Sequence, residues 1–256
     1  MVGEEYVLAR IDIVAFSKLS KQYPDMNVFG SVEKIASDSN EKIRRITEAC
    51  KKDLKLECSM YGDTVDIYFR TGDHNNTLIL MLLEVVAEAQ RKALGLGLFV
   101  KGAVVVGELL RTENGFTGPA MVDARETECK CLFPCVTITD SVMAVVDAAA
   151  KEKFRIDQDV TDFRNNLITD GNFLNYIEAC PFEFWMRKEP DLPFHRVSLT
   201  SAIERYEKIL PDDPSKHKIY TEMYKYAVEN HNKVCEKHGA CGEMIDKNKI
   251  GCFLQH

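Results

Sequence analysis

The stretch ARIDIVAFSKLS, Ala9 to Ser20, sets one carboxylate, Asp12, between Ile11 and Ile13, and ends on an aromatic and a hydroxyl. From Tyr6 to Phe16 the chain reads as a buried strand, because apolar residues dominate a short run of strand length. A carboxylate in such a strand costs roughly several kcal/mol unless hydrogen bonds or a cation compensate it. Asp12 therefore requires a partner. The residues leave two kinds open: a basic side chain, or a metal ion shared with a second carboxylate.

A second carboxylate follows in YGDTVD. Asp63 stands in a Gly-Asp turn between two strands covering Leu54 to Phe69, where Val65, Ile67 and Phe69 alternate with Thr64, Asp66 and Tyr68. That alternation predicts a strand packed on one face. The end of a first strand and a neighbouring hairpin turn can lie side by side, and two carboxylates brought together there repel unless cations join them. Mg²⁺ and Mn²⁺ suit such oxygen ligands and complete their shell with substrate phosphates. The Ile13 carbonyl is a further candidate ligand. Spacing alone equally allows Asp63 to be exposed in an ordinary turn and Asp12 to pair with Arg or Lys.

Around this core the remaining pattern is regular. Val28 to Lys52 carries Val28, Val32, Ile35, Ile43 and Ile46 among charges, which predicts a long amphipathic helix. Asp73 is a candidate N-cap for a second helix with Leu78, Leu82, Val85, Val86 and Ala89 on one face. Gly97 to Leu110 reads as a long strand or hairpin in which Gly102 and Gly107 mark close approach or a bend. NGFTGPA reads as a loop, Ala120 to Cys131 as a third helix, and CVTITDSVM as a short strand before a helix starting near Asp140. The order predicts an α+β fold, with helices on one face of a mainly antiparallel sheet. Residues 5–150 form the expected catalytic domain, 151–195 an extension, and 196–256 a helical C-terminal region with helices at Val197–Leu210 and Ser215–Lys237.

The composition narrows the function. The chain has 256 residues, 45% of them hydrophobic, and a formal charge of -7. That is ample for a core and argues against nucleic acid or an anionic membrane surface as partner. No apolar run approaches the roughly 20 residues of a membrane span. The acidic start MVGEEYVLARID is unlike a signal peptide, and nine cysteines are expected to be reduced thiols in a cytoplasmic protein.

RIDIVAFSKLS, YGDTVDIYF, VKGAVVVGELL and GFTGPAMVDARETE, in this order over roughly residues 5 to 140, resemble the class III nucleotidyl cyclase domain. The resemblance implies that Asp12 and Asp63 bind two Mn²⁺ or Mg²⁺ ions with the Ile13 carbonyl. It also implies that the loop from Phe16 to Leu19, with Phe16 and Ser17, lies over the triphosphate. Family members act as homodimers with sites at the interface. Arg125 falls at the transition-state arginine supplied by the second protomer, and Lys101 at a position that is often basic. Each has an ordinary alternative, Arg125 as a solvated helix residue near Glu126 and Glu128. Three positions depart from the family pattern: Met121 replaces its usual asparagine, Ser59 the lysine of purine-specific members, and Phe116 a polar residue that reads the purine base. KGAVVVGEL, GPAMVDARETE, FPCVTITDS and the later GNFLNYI and IYTEMYKYAVENHN are more similar to the pyrimidine cyclases of bacterial Pycsar antiphage defence. In that branch, Lys101 stands for an arginine and Arg125 for a frequent aromatic. The implied activity is conversion of UTP or CTP to the 3′,5′-cyclic nucleotide and pyrophosphate, with a separate effector reading the product. The alternatives are an adenylate or guanylate cyclase, or a catalytically silent nucleotide sensor, which Met121 motivates.

The remaining features read more simply. Cys129, Cys131 and Cys135, and separately Cys235, His238, Cys241, Cys252 and His256, have residue types that bind zinc but no strong ligand spacing, so idle thiols are the expectation. Phe182, Phe184 and Trp185 read as core or dimer contacts.

Overall fold

The computed structural model describes residues 4–50, 55–71, 76–112, 115–130 and 135–153, with positions 174, 202, 205, 206, 208, 209 and 229. Its strands are β1 (Glu4–Ile13), β2 (Glu57–Tyr61), β3 (Thr64–Arg70), β4 (Val100–Thr112), β5 (Gly115–Thr117) and β6 (Val136–Ile138). Its helices are α1 (Phe16–Gln22), α2 (Val28–Cys50), α3 (Asn76–Gly95), α4 (Pro119–Lys130) and α5 (Asp140–Lys153). The sheet runs β2-β3-β1-β4-β5, all antiparallel, and β6 joins β4 in parallel. This is the expected α+β architecture.

β1 lies at the centre, and its alternation sorts the molecule. Val7, Ala9, Ile11 and Ile13 point into the larger core with Val28, Val32 and Ile35 of α2, Leu78, Leu82 and Val86 of α3, and Val142 and Val146 of α5. Each fully buried valine, leucine or isoleucine among them contributes about 1.5–3 kcal/mol. The opposite face holds a smaller cluster: Leu8, Tyr68, Ala103, Val105 and Leu109 under Ala120 and Ala124 of α4. Helices thus cover one face as expected, and α4 in addition covers part of the other.

The same face differs from the alternation read in β3. Thr64, Asp66 and Tyr68 are buried along with Val65, Ile67 and Phe69. The Tyr68 ring meets Phe116 edge-on at 4.5 Å and Tyr6 at 6.3 Å, closing the far end of that face. Two boundaries also shift. The first strand stops at Ile13 rather than Phe16, because Ala15 takes a left-handed conformation (φ 56°) and α1 begins at Phe16. Within NGFTGPA, Gly115–Thr117 is a short strand rather than loop, paired with Leu110–Thr112. Asn27 caps α2, its side-chain oxygen accepting the Gly30 N–H at 3.1 Å. The proposed cap Asp73 lies outside the described residues, as do 154–173 and almost all of the two C-terminal helical stretches.

The stretch read from Gly97 to Leu110 is a turn followed by one long strand, β4 from Val100 to Thr112, rather than a hairpin, and Gly102 is required within it. A Cβ there would lie 2.0 Å from the Arg10 carbonyl oxygen on β1. Gly102→Ala is expected to destabilise the chain by about 3 kcal/mol, seen as a loss of roughly 6–12 °C in melting temperature. A variant melting with the parent would contradict this packing.

Candidate active site

The site lies where three strands end together. Asp12 pairs with Thr64 of β3 on one side and Lys101 of β4 on the other. By alternation it faces the α4 side of the sheet, with Leu8 and Arg10. The Thr64 hydroxyl is 3.5 Å from Asp12 Oδ1.

Asp63 reaches this corner through a two-residue hairpin. Tyr61 pairs with Thr64, leaving Gly62 and Asp63 as the loop. Gly62 has φ +65° and Asp63 does not have positive φ, the arrangement of a turn with glycine at its first central position. This turn places a carboxylate one residue before Thr64, next to the end of β1.

A third carboxylate arrives from above. In α4, Ala120, Ala124 and Glu128 are buried at four-residue spacing, so Glu128 continues the apolar stripe onto the sheet. Glu128 is 6% exposed. Its Oε1 lies 2.6 Å from Lys101 Nζ. Burial pulls the Lys101 ammonium down in pKa, and the Glu128 hydrogen bond and charge, together with Asp12 and Cys129, more than reverse that. Sequence reading passed over Glu128 except as a neighbour of Arg125. The signal was its register with Ala120 and Ala124.

The electrostatic result falls on Asp12. Burial chiefly, then the charges of Glu128 and Asp63, raise its pKa from 3.8 to about 6, against opposing effects of Lys101 and Arg10. One step along the same face, Arg10 Nε lies 3.8 Å from Asp66 Oδ1. Asp66 is likewise raised to about 6, by burial.

The other expected site residues fall in different places. Phe16 and Ser17 lie in the first turn of α1 rather than in a loop. The Phe16 side chain packs on the larger core, and Ser17 is exposed. The Ile13 side chain is buried, which leaves only its main chain to serve the site. Arg125 is exposed, off the α4 stripe that meets the sheet. The structure therefore gathers Asp12, Asp63 and Lys101, adds Glu128, and leaves Arg125 facing away from the sheet. Among the departures noted, Phe116 and Met121 pack against the smaller cluster and Ser59 is exposed. Cys129 is exposed and Cys135 buried; Cys131 and the C-terminal Cys and His residues lie outside the described residues.

Among the described residues, no three His, Cys, Asp or Glu side chains gather as a metal-holding group, and no helix is long and apolar enough to cross a membrane. Two carboxylates and a carbonyl still match Mg²⁺-type sites, which use one or two carboxylates and take the rest of their shell from water and phosphate.

No family model matches the chain, and no curated protein matches it. Solved structures do. The adenylyl cyclase CyaB from P. aeruginosa is 12% identical, covering 57% of this chain and 82% of its own, with a TM-score of 0.41. A dimeric guanylyl cyclase domain of the RhoGC fusion protein from the aquatic fungus Blastocladiella emersonii is 11% identical, covering 57% and 84%, with a TM-score of 0.45. A monomeric form of that domain is 12% identical, covering 57% and 86%, with a TM-score of 0.43. Identity and overlap this low leave the function to be argued from the residues of the site.

Proposed function

We propose that the chain is a metal-dependent pyrimidine nucleotide cyclase acting in the cytoplasm as a homodimer. In this reading it converts UTP or CTP to the 3′,5′-cyclic nucleotide, and a separate effector in antiphage defence reads the product. The observation that carries the reading is the corner itself: a half-buried Asp12 at the end of β1, beside Asp63 of the hairpin turn, with its carboxyl pushed up to about 6. A carboxylate so destabilised gains most when a cation arrives.

Asp12, Asp63 and the Ile13 carbonyl would hold two Mn²⁺ or Mg²⁺ ions. Such ions activate the ribose hydroxyl and offset charge on the phosphates. In the reaction the 3′-hydroxyl loses its proton and its oxygen bonds to the α-phosphorus. The bond from that phosphorus to the bridging oxygen breaks, and pyrophosphate leaves. Lys101 would bind the nucleotide, with Phe16 and Ser17 flanking it through the first turn of α1. Arg125 of the second protomer would stabilise the charge that develops at the α-phosphate. Its exposure suits a role across an interface. Tyr61 and Val122, 74% and 57% exposed, are apolar surface that a second protomer would cover.

The test is incubation of the chain with Mn²⁺ and each of the four ribonucleoside triphosphates, with products identified by mass spectrometry. Cyclic UMP or cyclic CMP is the expected product. Cyclic AMP or cyclic GMP would keep the chemistry and overturn the base preference. Manganese-dependent nucleotide binding with no product would replace the enzyme by a silent sensor.

A further inference from the structure

Tyr206 is 1% exposed and far from β1 in sequence, yet its hydroxyl lies inside the β1–β4 pair. Asp12 pairs with Lys101 and Ile13 with Val100, so Val14 and Phe99 are the next step of the ladder. Their first bond is direct: the Val14 N–H donates to the Phe99 carbonyl at 2.9 Å. An uninterrupted antiparallel pair would return the second bond from the Phe99 N–H to the Val14 carbonyl. Instead the Phe99 N–H donates to the Tyr206 hydroxyl at 3.1 Å, and that hydroxyl donates to the Val14 carbonyl at 2.9 Å. One oxygen is spliced into the ladder and opens it on one side. The Tyr206 ring meets Phe99 edge-on at 5.0 Å.

Arg205 holds the neighbouring turn. Its Nη1 donates to the Gly97 carbonyl at 2.7 Å, between α3 and β4, and its guanidinium carbon lies 5.9 Å from the centre of the Tyr23 ring at the end of α1. Gly97 has φ +71°, and a Cβ there would lie 2.2 Å from that nitrogen. The two adjacent side chains thus touch the end of β1, the end of α1 and the turn leading into β4. Between those points the chain leaves the sheet through left-handed Ala15.

We infer that Tyr206 and Arg205 are positioning residues: the spliced hydroxyl and the guanidinium fix the path of the main chain from Ile13 to Phe16. The catalytic consequence rests on the cyclase reading, because that segment carries the Ile13 carbonyl and leads to Phe16 and Ser17. A tyrosine needed only to fill the core would work equally well as phenylalanine. This one bonds main-chain groups of both strands, so the hydroxyl is the part with a positional role.

Tyr206→Phe in the full chain tests this, with amide hydrogen exchange, Mn²⁺ titration and turnover measured on the same preparation. Exchange about tenfold faster in peptides covering 13–23 and 96–101, unchanged elsewhere, with Mn²⁺ binding about tenfold weaker, is the expected result. Uniformly faster exchange, or none, with unaltered Mn²⁺ affinity would mean a merely structural tyrosine and overturn the inference. If wild type binds no Mn²⁺ or makes no cyclic nucleotide, the cyclase reading falls, and the exchange pattern alone then decides the inference. Should Tyr206→Phe not fold, Arg205→Ala, at a partly exposed position, must show the same two-peptide exchange pattern; a uniform or absent change there overturns the inference.

Discussion

Asp12→Asn is expected to lower turnover below about a hundredth of wild type and, in metal-free buffer at pH 8, to stabilise the chain. The two effects share one cause. In the folded chain Asp12 keeps its proton until about pH 6, against 3.8 ordinarily, because burial and the charges of Glu128 and Asp63 oppose its ionised form. A tenfold change in proton affinity between the folded and unfolded states corresponds to about 1.4 kcal/mol. Asp12 is partly exposed, so solvent screening reduces the penalty to about 1–2 kcal/mol. The sign follows from the direction in which the pKa moves. Below pH 3.8 the proton is bound in both the folded and unfolded states and no penalty exists. It grows between 3.8 and 6 and is complete above 6, so folding stability is lost as the pH rises through that window. An asparagine cannot ionise. Its advantage should be full at pH 8, fade through pH 5 and vanish near pH 4, read as melting temperature against pH in the presence of a chelator. Equal stability at all pH values would mean that a cation within the chain already compensates Asp12. That was the other partner its sequence allowed.

Asp12 was legible because its anomaly is local. A carboxylate between Ile11 and Ile13 is visible in three letters, and Gly62-Asp63 announces its turn by the φ that Gly62 must adopt. Helix α2 and strand β3 were legible for the same reason, since their periods lie within one element. What escaped depends on elements meeting. Glu128 reads as one more charge on a helix until Ala120 and Ala124 are known to face the sheet. The double burial of β3 needs Tyr6 and Phe116 over Tyr68 on one face and α2 and α3 across the other. Tyr206 gives no local signal at all, because its hydroxyl has meaning only against the register of β1 on β4. Phe16 was read as the end of a strand because apolar runs do not show where a left-handed residue breaks them, and Ala15 is an uncommon choice for that conformation.

The same corner makes Lys101→Met a strongly destabilising change, even though methionine keeps most of the volume. Lys101 is the ammonium that Glu128 contacts at 2.6 Å, and the Glu128 side chain is 8% exposed. Removing one partner of a buried pair leaves an uncompensated charge, at a cost of about 3–5 kcal/mol. The Lys101 side chain is 32% exposed, so water reaches this pair and a smaller loss, about 2–3 kcal/mol, is expected. Glu128→Gln alone should cost only about 1 kcal/mol, because a neutral amide still accepts a hydrogen bond from the ammonium. The double variant Lys101→Met with Glu128→Gln should therefore recover most of the loss, giving a coupling of about 1.5 kcal/mol or more in chemical denaturation. Strict additivity would mean that the two groups do not interact in solution. The cycle also separates two roles for Lys101. If it binds the triphosphate, KM rises in Lys101→Met and stays raised in the double variant. If it only neutralises Glu128 beside Asp12, KM returns toward wild type together with stability.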